Sequence, residues 1–460
     1  MRDKFYEYLV LFLTVALMGL ALLVFPFSRR TAWLILTAGI PWTIELSEWE
    51  SLTLSLPTDI FAVLTGSVTG VYLLFFPHHL RRIWHASITR WVVLYLLWMG
   101  IGVIFSADHV ISLKFWISQS AYFLAFGIGS YLWLERRGSP TQLYLWVILP
   151  SAALVMSICV LEHLKMGGSR AVVDKAISPF MREHTVYGAY GAWFFTASVV
   201  AFFLRPGILT TAAVGISGTA LVLSYSRGGW LSALGALSIW FAVEQLRRLS
   251  AITRFVLVSG VSIMLLIMGI FLISYNPEIL QLYAKQQVGE IGEHLVSSFD
   301  VQQNASNMER INRWFSAIQM IQERPLLGFG ANTFAQEYSA YQRSITRTKI
   351  SVEMGEIGGA HSEYFTAASE MGIPGLVLLL GIYLSTIWFG MSYLWREGSA
   401  SKRWEVALVL LPLLSYYLHG FINNFMDHGH MAALVYLHWG ILAVLQRESV
   451  PSPHAATYQV

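Results

Sequence analysis

Nine stretches of this chain, 8–28, 60–77, 115–134, 138–161, 185–204, 206–226, 255–277, 371–395 and 429–446, contain no acidic residue, lysine or arginine. Each approaches or exceeds the roughly 18–20 residues a helix needs to cross about 30 Å of hydrocarbon. Hydrophobic types make up 55% of the 460 residues and charged types only 12%, too few charges for a soluble domain of this size. The chain reads as an integral membrane protein. Barrel strands are far shorter than these runs, so the expected fold is all-α and polytopic. Shorter or partly polar candidates at 31–44, 91–107, 228–243 and 406–426 bring the count to twelve or thirteen spans.

The basic residues report orientation. Arg81, Arg82 and Arg90, then Arg136 and Arg137, then Arg205, then Arg247, Arg248 and Arg254, then Arg396, Lys402 and Arg403 fall in every second loop, which assigns those loops to the cytoplasm. The loops around Asp108, at 162–184, at Ser226-Arg227 and at Asn423–His428 then lie outside, together with one long polar segment. Arg2 and Lys4, as well as Arg29 and Arg30, all favour the inner side, so the first two apolar runs are expected to supply one full and one short segment, for twelve spans in total. The 8–28 run lacks a small-x-small cleavage pattern and is read as retained. A net charge of +3 gives no case for nucleic acid, and a single cysteine, Cys159, excludes an internal disulfide.

The polar segment, 276–370, holds 18 of the 57 charged residues. It divides the chain into an N-terminal bundle 1–275, an external subdomain 276–370, C-terminal helices 371–447 and a tail 448–460. Ser306 and Glu309 have capping-box spacing, predicting a helix of about 16 residues with Ile311, Trp314, Phe315, Ile318 and Ile321 on its apolar face and Pro325 closing it. Arg310 and Arg313 share a face of that helix, where they either grip one anion or solvate the helix and touch headgroups. A glycine-bearing turn follows at 326–334, allowing close backbone approach to another group. A second helix is expected to begin near His361 and run to Gly372, with Pro374 opening the next span. In a first helical turn, the helix dipole would keep the His361 imidazole neutral, as a general base requires.

Arg227 interrupts two apolar runs with almost no loop to carry it into water. It either snorkels to lipid phosphate or clamps an anionic ligand through its two-pronged guanidinium, in space opened by Gly228 and Gly229. Arg170, Asp174, Lys175, Arg182, Glu183 and His184 form an external loop that either adds cationic grip or is simply solvated. Asp427-His428-Gly429-His430 has the spacing of no common metal site, so no metal is expected. Asn423, Asn424 and Asp427 read as hydrogen-bonding groups at a helix end, suited to a sugar pocket.

Ser-Arg-Gly at 226–228, Arg310 with Trp314, Pro-Leu-Leu-Gly-Phe-Gly at 325–330, and His361 followed by Glu-Met-Gly-Ile-Pro-Gly-Leu at 370–376 together resemble the O-antigen ligase and polymerase superfamily. Ser362 stands where that family often has asparagine, and Glu363 adds a carboxylate beside the histidine. The resemblance implies glycosyl transfer at the periplasmic face of a bacterial inner membrane, from an undecaprenyl-pyrophosphate donor to a hydroxyl acceptor, without a cofactor. His361, with Glu363 sharing the work, would act as base, while Arg227, Arg310 and Arg313 would bind pyrophosphate; Arg182, His184, Asn423, Asn424 and Asp427 are candidate glycan contacts. Direct displacement would invert the anomeric centre. A ligase using the lipid A core as acceptor is favoured; a polymerase, a protein O-oligosaccharyltransferase or, in a different class, a glycan transporter are the alternatives.

Overall fold

An apolar surrounding leaves a backbone no water to bond with, so the long uncharged runs satisfy their own peptide groups as helices. The computed structural model describes residues 27–49, 52–134, 138–250, 252–253, 301–342 and 359–449, with positions 16, 19–20 and 23–24. Among the described residues, six helices are long and apolar enough to cross a membrane: Thr58–Phe75, Ser87–Ile104, Pro140–Lys165, His184–Leu204, Glu363–Arg396 and Gly429–Glu448. Further helices at Arg29–Gly39, Ile208–Leu223, Arg227–Leu246 and Ala400–His419 pack among them, and π-helical turns interrupt the bundle at Phe123–Ile128 and Tyr144–Ile148. The 255–277 run lies outside the described residues, as do most of 8–28 and the tail from 450, and the count of twelve spans reaches into them.

Burial is graded from the centre outward. The Gly429–Glu448 and His184–Leu204 helices are buried over 89% and 78% of their apolar windows, against 28% for Thr58–Phe75, so two central helices are wrapped by others. The wrapping helices turn large apolar side chains outward, among them Leu74, Leu231, Leu234 and Trp388. That is the inverse of a soluble surface, and it suits lipid contact.

Three elements differ from expectation. The 31–44 candidate is helical only to Gly39 and, after a 3-10 turn, gives way to an antiparallel hairpin, Ile44–Trp49 with Leu52–Leu56, in which Ile44 faces Leu56 and Glu45 faces Ser55. Strict apolar–polar alternation over 44–47 and 52–56 is the period of a half-buried strand. The 406–426 candidate stops at His419, since Gly420 and the asparagine pair carry the chain into a loop. The helix expected in the polar segment spans Val301–Glu323, so Ser306 lies inside it and does not cap it; the Glu309 carboxylate is held by Arg313, one turn on, at 3.0 Å. Its packing face is also other than predicted. Asn312, Arg313, Ser316, Ala317 and Met320 are buried, whereas Ile318 is exposed.

The helix ends sort into two faces of the bundle. One is rich in arginine: Arg403 bonds Glu244 at 2.9 Å, Arg247 bonds the Leu394 carbonyl at 3.2 Å, and Arg447 bonds Tyr131. The opposite end collects the segments around 55, 107, 168, 225, 329, 361 and 420, tied by Ala107 N donating to Phe329 O at 2.7 Å, Tyr225 Oη to Gly168 O at 2.6 Å and Glu363 N to Gly420 O at 2.8 Å.

Candidate functional site

The two glycine-rich motifs fit one another. Phe329 N and Gly330 N donate to the carbonyls of Ser369 and Glu370, at 3.1 and 2.8 Å, and Ile373 N returns a bond to Pro325 O at 2.8 Å. The buried Glu370 carboxylate accepts from Asn332 N at 2.7 Å and Phe334 N at 3.1 Å, so the turn is bound through both main chain and side chain. This is the close approach that the glycines permit. At Gly372 (φ 70, ψ 179) the Glu363–Arg396 helix breaks and continues, so an outer segment and the span share one element, as the sequence led one to expect. Gly330 has φ 112, and a methyl added there would run into Ser106 Oγ. Gly330→Ala should therefore cost about 1–3 kcal/mol through overpacking, beyond the strain of a left-handed backbone. Its melting temperature in detergent should fall well below that of Gly398→Ala, whose added methyl meets nothing. Equal melting would show the lock to be unimportant.

This lock sets the ends of two helices facing a third. Arg227 is the first residue of Arg227–Leu246, whose N-terminus is capped by Ser226 Oγ accepting from Gly229 N at 3.2 Å. Arg310 projects from Val301–Glu323 into electrostatic reach of Arg170, Arg227 and Glu183. Burial, reinforced by Arg170 and Arg227 and opposed by Glu183, pulls the Arg310 guanidinium below its ordinary value, yet it stays charged at any physiological pH. Arg310, Arg170 and Arg227 thus bring three guanidiniums, with the Glu183 carboxylate, to one place where an anion can bind.

His361 lies just before the Glu363–Arg396 helix, one residue ahead of its N-cap Ser362, with φ 50. The expected first-turn position is thus two residues off, and the helix dipole is not what holds the ring neutral. Burial does so first, followed by the charges of Arg313 and Arg310, and together they lower His361 from 6.5 to about 3. Trp314 Nε1, 3.4 Å from the His361 carbonyl, ties this turn to the Val301–Glu323 helix.

Two residues expected at the chemistry have other attachments. Arg313 is buried, pairs with Glu309, donates to the Gly359 carbonyl at 2.9 Å and lies over the Tyr338 ring at 4.7 Å, so it anchors the Val301–Glu323 helix beside the His361 turn. Glu363 is also buried; its Oε1 accepts from Tyr416 Oη at 2.6 Å and Phe425 N at 2.7 Å, which binds the helix start to the 420–425 loop.

The remaining candidates form a neighbouring polar wall. Arg182 Nε is 3.3 Å from Glu45 Oε2, His184 bonds Asp174 through its backbone N at 2.6 Å, and Asp427 Oδ1 is 3.9 Å from His428 Nε2. Asn423 Nδ2 meets His419 Nε2 at 3.2 Å, while the Asn424 amide lies against Gly359. Glu45, from the unforeseen hairpin, is the hub, with His428 Nδ1 at 2.7 Å. Burial alone would lower His428, but Glu45 and Asp427 outweigh it and raise the ring from 6.5 to about 10. The folded state then holds a proton that the unfolded chain releases between those values, so this stabilisation is complete below pH 6.5 and is lost as pH climbs through about 10. Melting temperature should decline across that window in the wild type, with a shallower decline in His428→Gln; parallel slopes would contradict the pairing.

Sequence reasoning missed Glu45 and read His419 as lying within the 406–426 candidate span. The strand-period alternation around Glu45 was available as a signal; for His419, the following glycine and the asparagine pair at 423–424 hinted at a helix end. Residues 212–380 match the family model Wzy_C, described as O-antigen ligase, which bears out the resemblance carried by the motifs. Arg227, Arg310, Arg313, His361 and Glu363 all fall inside the match; Arg182, His184, Asn423, Asn424 and Asp427 fall outside it. Comparison with curated proteins finds no match.

Proposed function

We propose that this chain, carrying an O-antigen ligase domain, transfers a glycan from a polyprenyl-pyrophosphate donor to a hydroxyl of the lipid A core at the periplasmic face of the inner membrane. The observation that supports this most is the grouping of Arg227 and Arg310 with a neutral histidine at the bundle end opposite the arginine-rich one. Positive-inside orientation assigns the arginine-rich end to the cytoplasm, which turns the site outward.

In this reading the guanidiniums of Arg227 and Arg310 hold the pyrophosphate and stabilise the charge that grows on it as the anomeric C–O bond breaks. His361 accepts the proton of the acceptor hydroxyl while its oxygen attacks the anomeric carbon from the opposite side, so the configuration inverts. A ring held near 3 is ready to accept a proton but is a weak base. Donor binding remedies this, because pyrophosphate charge beside Arg310 offsets the repulsion that lowered the histidine. Basicity thus rises only once the leaving group is in place. The polar wall of Arg182, Glu183, Asn424 and Asp427 supplies donors and acceptors for sugar hydroxyls.

A deletion strain separates the acceptor classes. Loss of all long glycan from lipid A, with lipid-linked polymer accumulating, supports the ligase. Lipid A capped with single repeats would instead make the enzyme a polymerase.

A further inference from the structure

Among the described residues, three non-glycine residues have positive φ: Tyr225 at 54°, Asn332 at 63° and His361 at 50°. All three belong to segments gathered at the end of the bundle that carries the site, and a residue with a side chain keeps such a backbone only where its surroundings over-determine it. At Tyr225 the phenol is fixed to the Gly168 carbonyl, and at Asn332 the backbone N–H is fixed to the Glu370 carboxylate. At His361 the hold comes from the helix that follows.

Thr366, in the first turn of Glu363–Arg396, bonds both neighbours of the histidine. Its Oγ1 accepts from Ala360 N at 2.9 Å, and its own backbone N donates to the Ser362 carbonyl at 2.9 Å. The peptide groups on either side of His361 are thereby held at both ends. The Gly359–Ala360 peptide has its oxygen on Arg313 Nη1 at 2.9 Å and its N–H on Thr366, while the Ser362–Glu363 peptide has its oxygen on Thr366 N and its N–H on the Gly420 carbonyl at 2.8 Å. The bond to Ser362 is an ordinary helical one that any residue but proline makes; the bond to Ala360 requires a hydroxyl at position 366. Gly359 packs directly on that side chain, and a Cβ added to it would strike Thr366 Oγ1 and Cγ2. The turn is closed down onto the hydroxyl.

We propose that Thr366 is a positioning residue for His361: its hydroxyl, by accepting from Ala360 N, fixes the turn in the left-handed form that aims the imidazole at the acceptor hydroxyl. The inference rests on His361 acting as the base in the transfer proposed above. Without the hydroxyl, the Gly359–Ala360 peptide is held at one end only, and His361 relaxes toward a negative φ that carries its ring off line. Arg227 and Arg310 stand on other helices, so the donor's pyrophosphate is held as before.

Full-length protein in nanodiscs, given a polyprenyl-pyrophosphate-linked glycan and a lipid A core acceptor, provides the test. Thr366→Val keeps the side-chain shape and removes the hydroxyl, whereas Thr366→Ser keeps the hydroxyl and removes the methyl. The Val variant should lower kcat on the order of 10–100-fold with donor KM nearly unchanged, the effect of a slightly misplaced reacting group, and the Ser variant should retain most of kcat. Added to His361→Ala, Thr366→Val should lower the residual rate no further, because its effect passes through the histidine. Wild-type kcat in Thr366→Val, a Ser variant as slow as Val, or losses that multiply in the double variant would each overturn the inference. If Thr366→Val does not fold, Thr366→Ser against Thr366→Ala decides, since these differ by the hydroxyl alone; equal kcat in that pair overturns it. His361→Ala keeps the two readings apart. A large loss of kcat there beside a normal Thr366→Val defeats only the positioning role, whereas wild-type transfer by His361→Ala defeats the base assignment itself.

Discussion

Replacing His361 with alanine should lower kcat by about 10²–10⁴, the range in which a positioned general base contributes, with donor KM changed far less. The ring is neutral in the free protein because burial and two nearby arginines disfavour its charge. The pH profile should carry the same mark. A base works deprotonated, so activity is lost as pH falls through its pKa. Since kcat/KM reports the free enzyme, its acid limb from His361 should lie well below 6.5, near the value of about 3. The limb in kcat should move upward, as bound pyrophosphate neutralises Arg310. An acid limb near 6.5 in kcat/KM, lost in His361→Ala, would mean that the ring is solvated and the cluster looser than described. Unchanged kcat in His361→Ala would remove the base assignment.

Arg310→Ala should be comparably damaging, by about 10²–10³ in kcat, the magnitude seen when one preorganised donor to developing negative charge is deleted. Arg310→Lys should recover only part, because an ammonium keeps the charge but loses the planar fork that engages two phosphate oxygens. Arg313→Ala should read differently. Arg313 is committed to Glu309, the Gly359 carbonyl and the Tyr338 ring, so its loss should first reduce melting temperature and only indirectly affect kcat. Full activity in Arg310→Ala, or a pure kcat effect at Arg313 with no loss of stability, would reverse these two roles.

What was legible in the sequence follows from which forces are local. Membrane helices announce themselves because each run is uncharged over a whole bilayer thickness, a property independent of its neighbours. The break at Gly372 was legible for the same reason, since glycine and Pro374 act on their own backbone. The external helix was placed in part: its closing proline was visible, but Glu309 was assigned to a cap when Arg313, four residues later, offered a stronger charge-assisted bond. Its buried face was misread because apolar side chains were presumed to point to protein, whereas small and polar ones, Asn312, Ser316 and Ala317, pack on the bundle and Ile318 is exposed. Glu363 and Arg313 looked catalytic through proximity in sequence to His361 and Arg310, and only tertiary partners reveal their attachment to Tyr416, Phe425 and Gly359. The hairpin hides behind the apolar run 31–44 that leads into it, and with it Glu45, the hub of the polar wall.

The most direct measurement reconstitutes purified full-length protein in liposomes with a polyprenyl-pyrophosphate-linked glycan and a lipid A core acceptor, then follows new glycosidic bonds and released polyprenyl pyrophosphate by mass spectrometry. The wild type should yield glycosylated acceptor and released polyprenyl pyrophosphate in equal amounts, with neither product formed by His361→Ala or Arg310→Ala above a trace. Movement of the lipid-linked glycan across the bilayer with no new bond and no released pyrophosphate would contradict the account and make the chain a transporter.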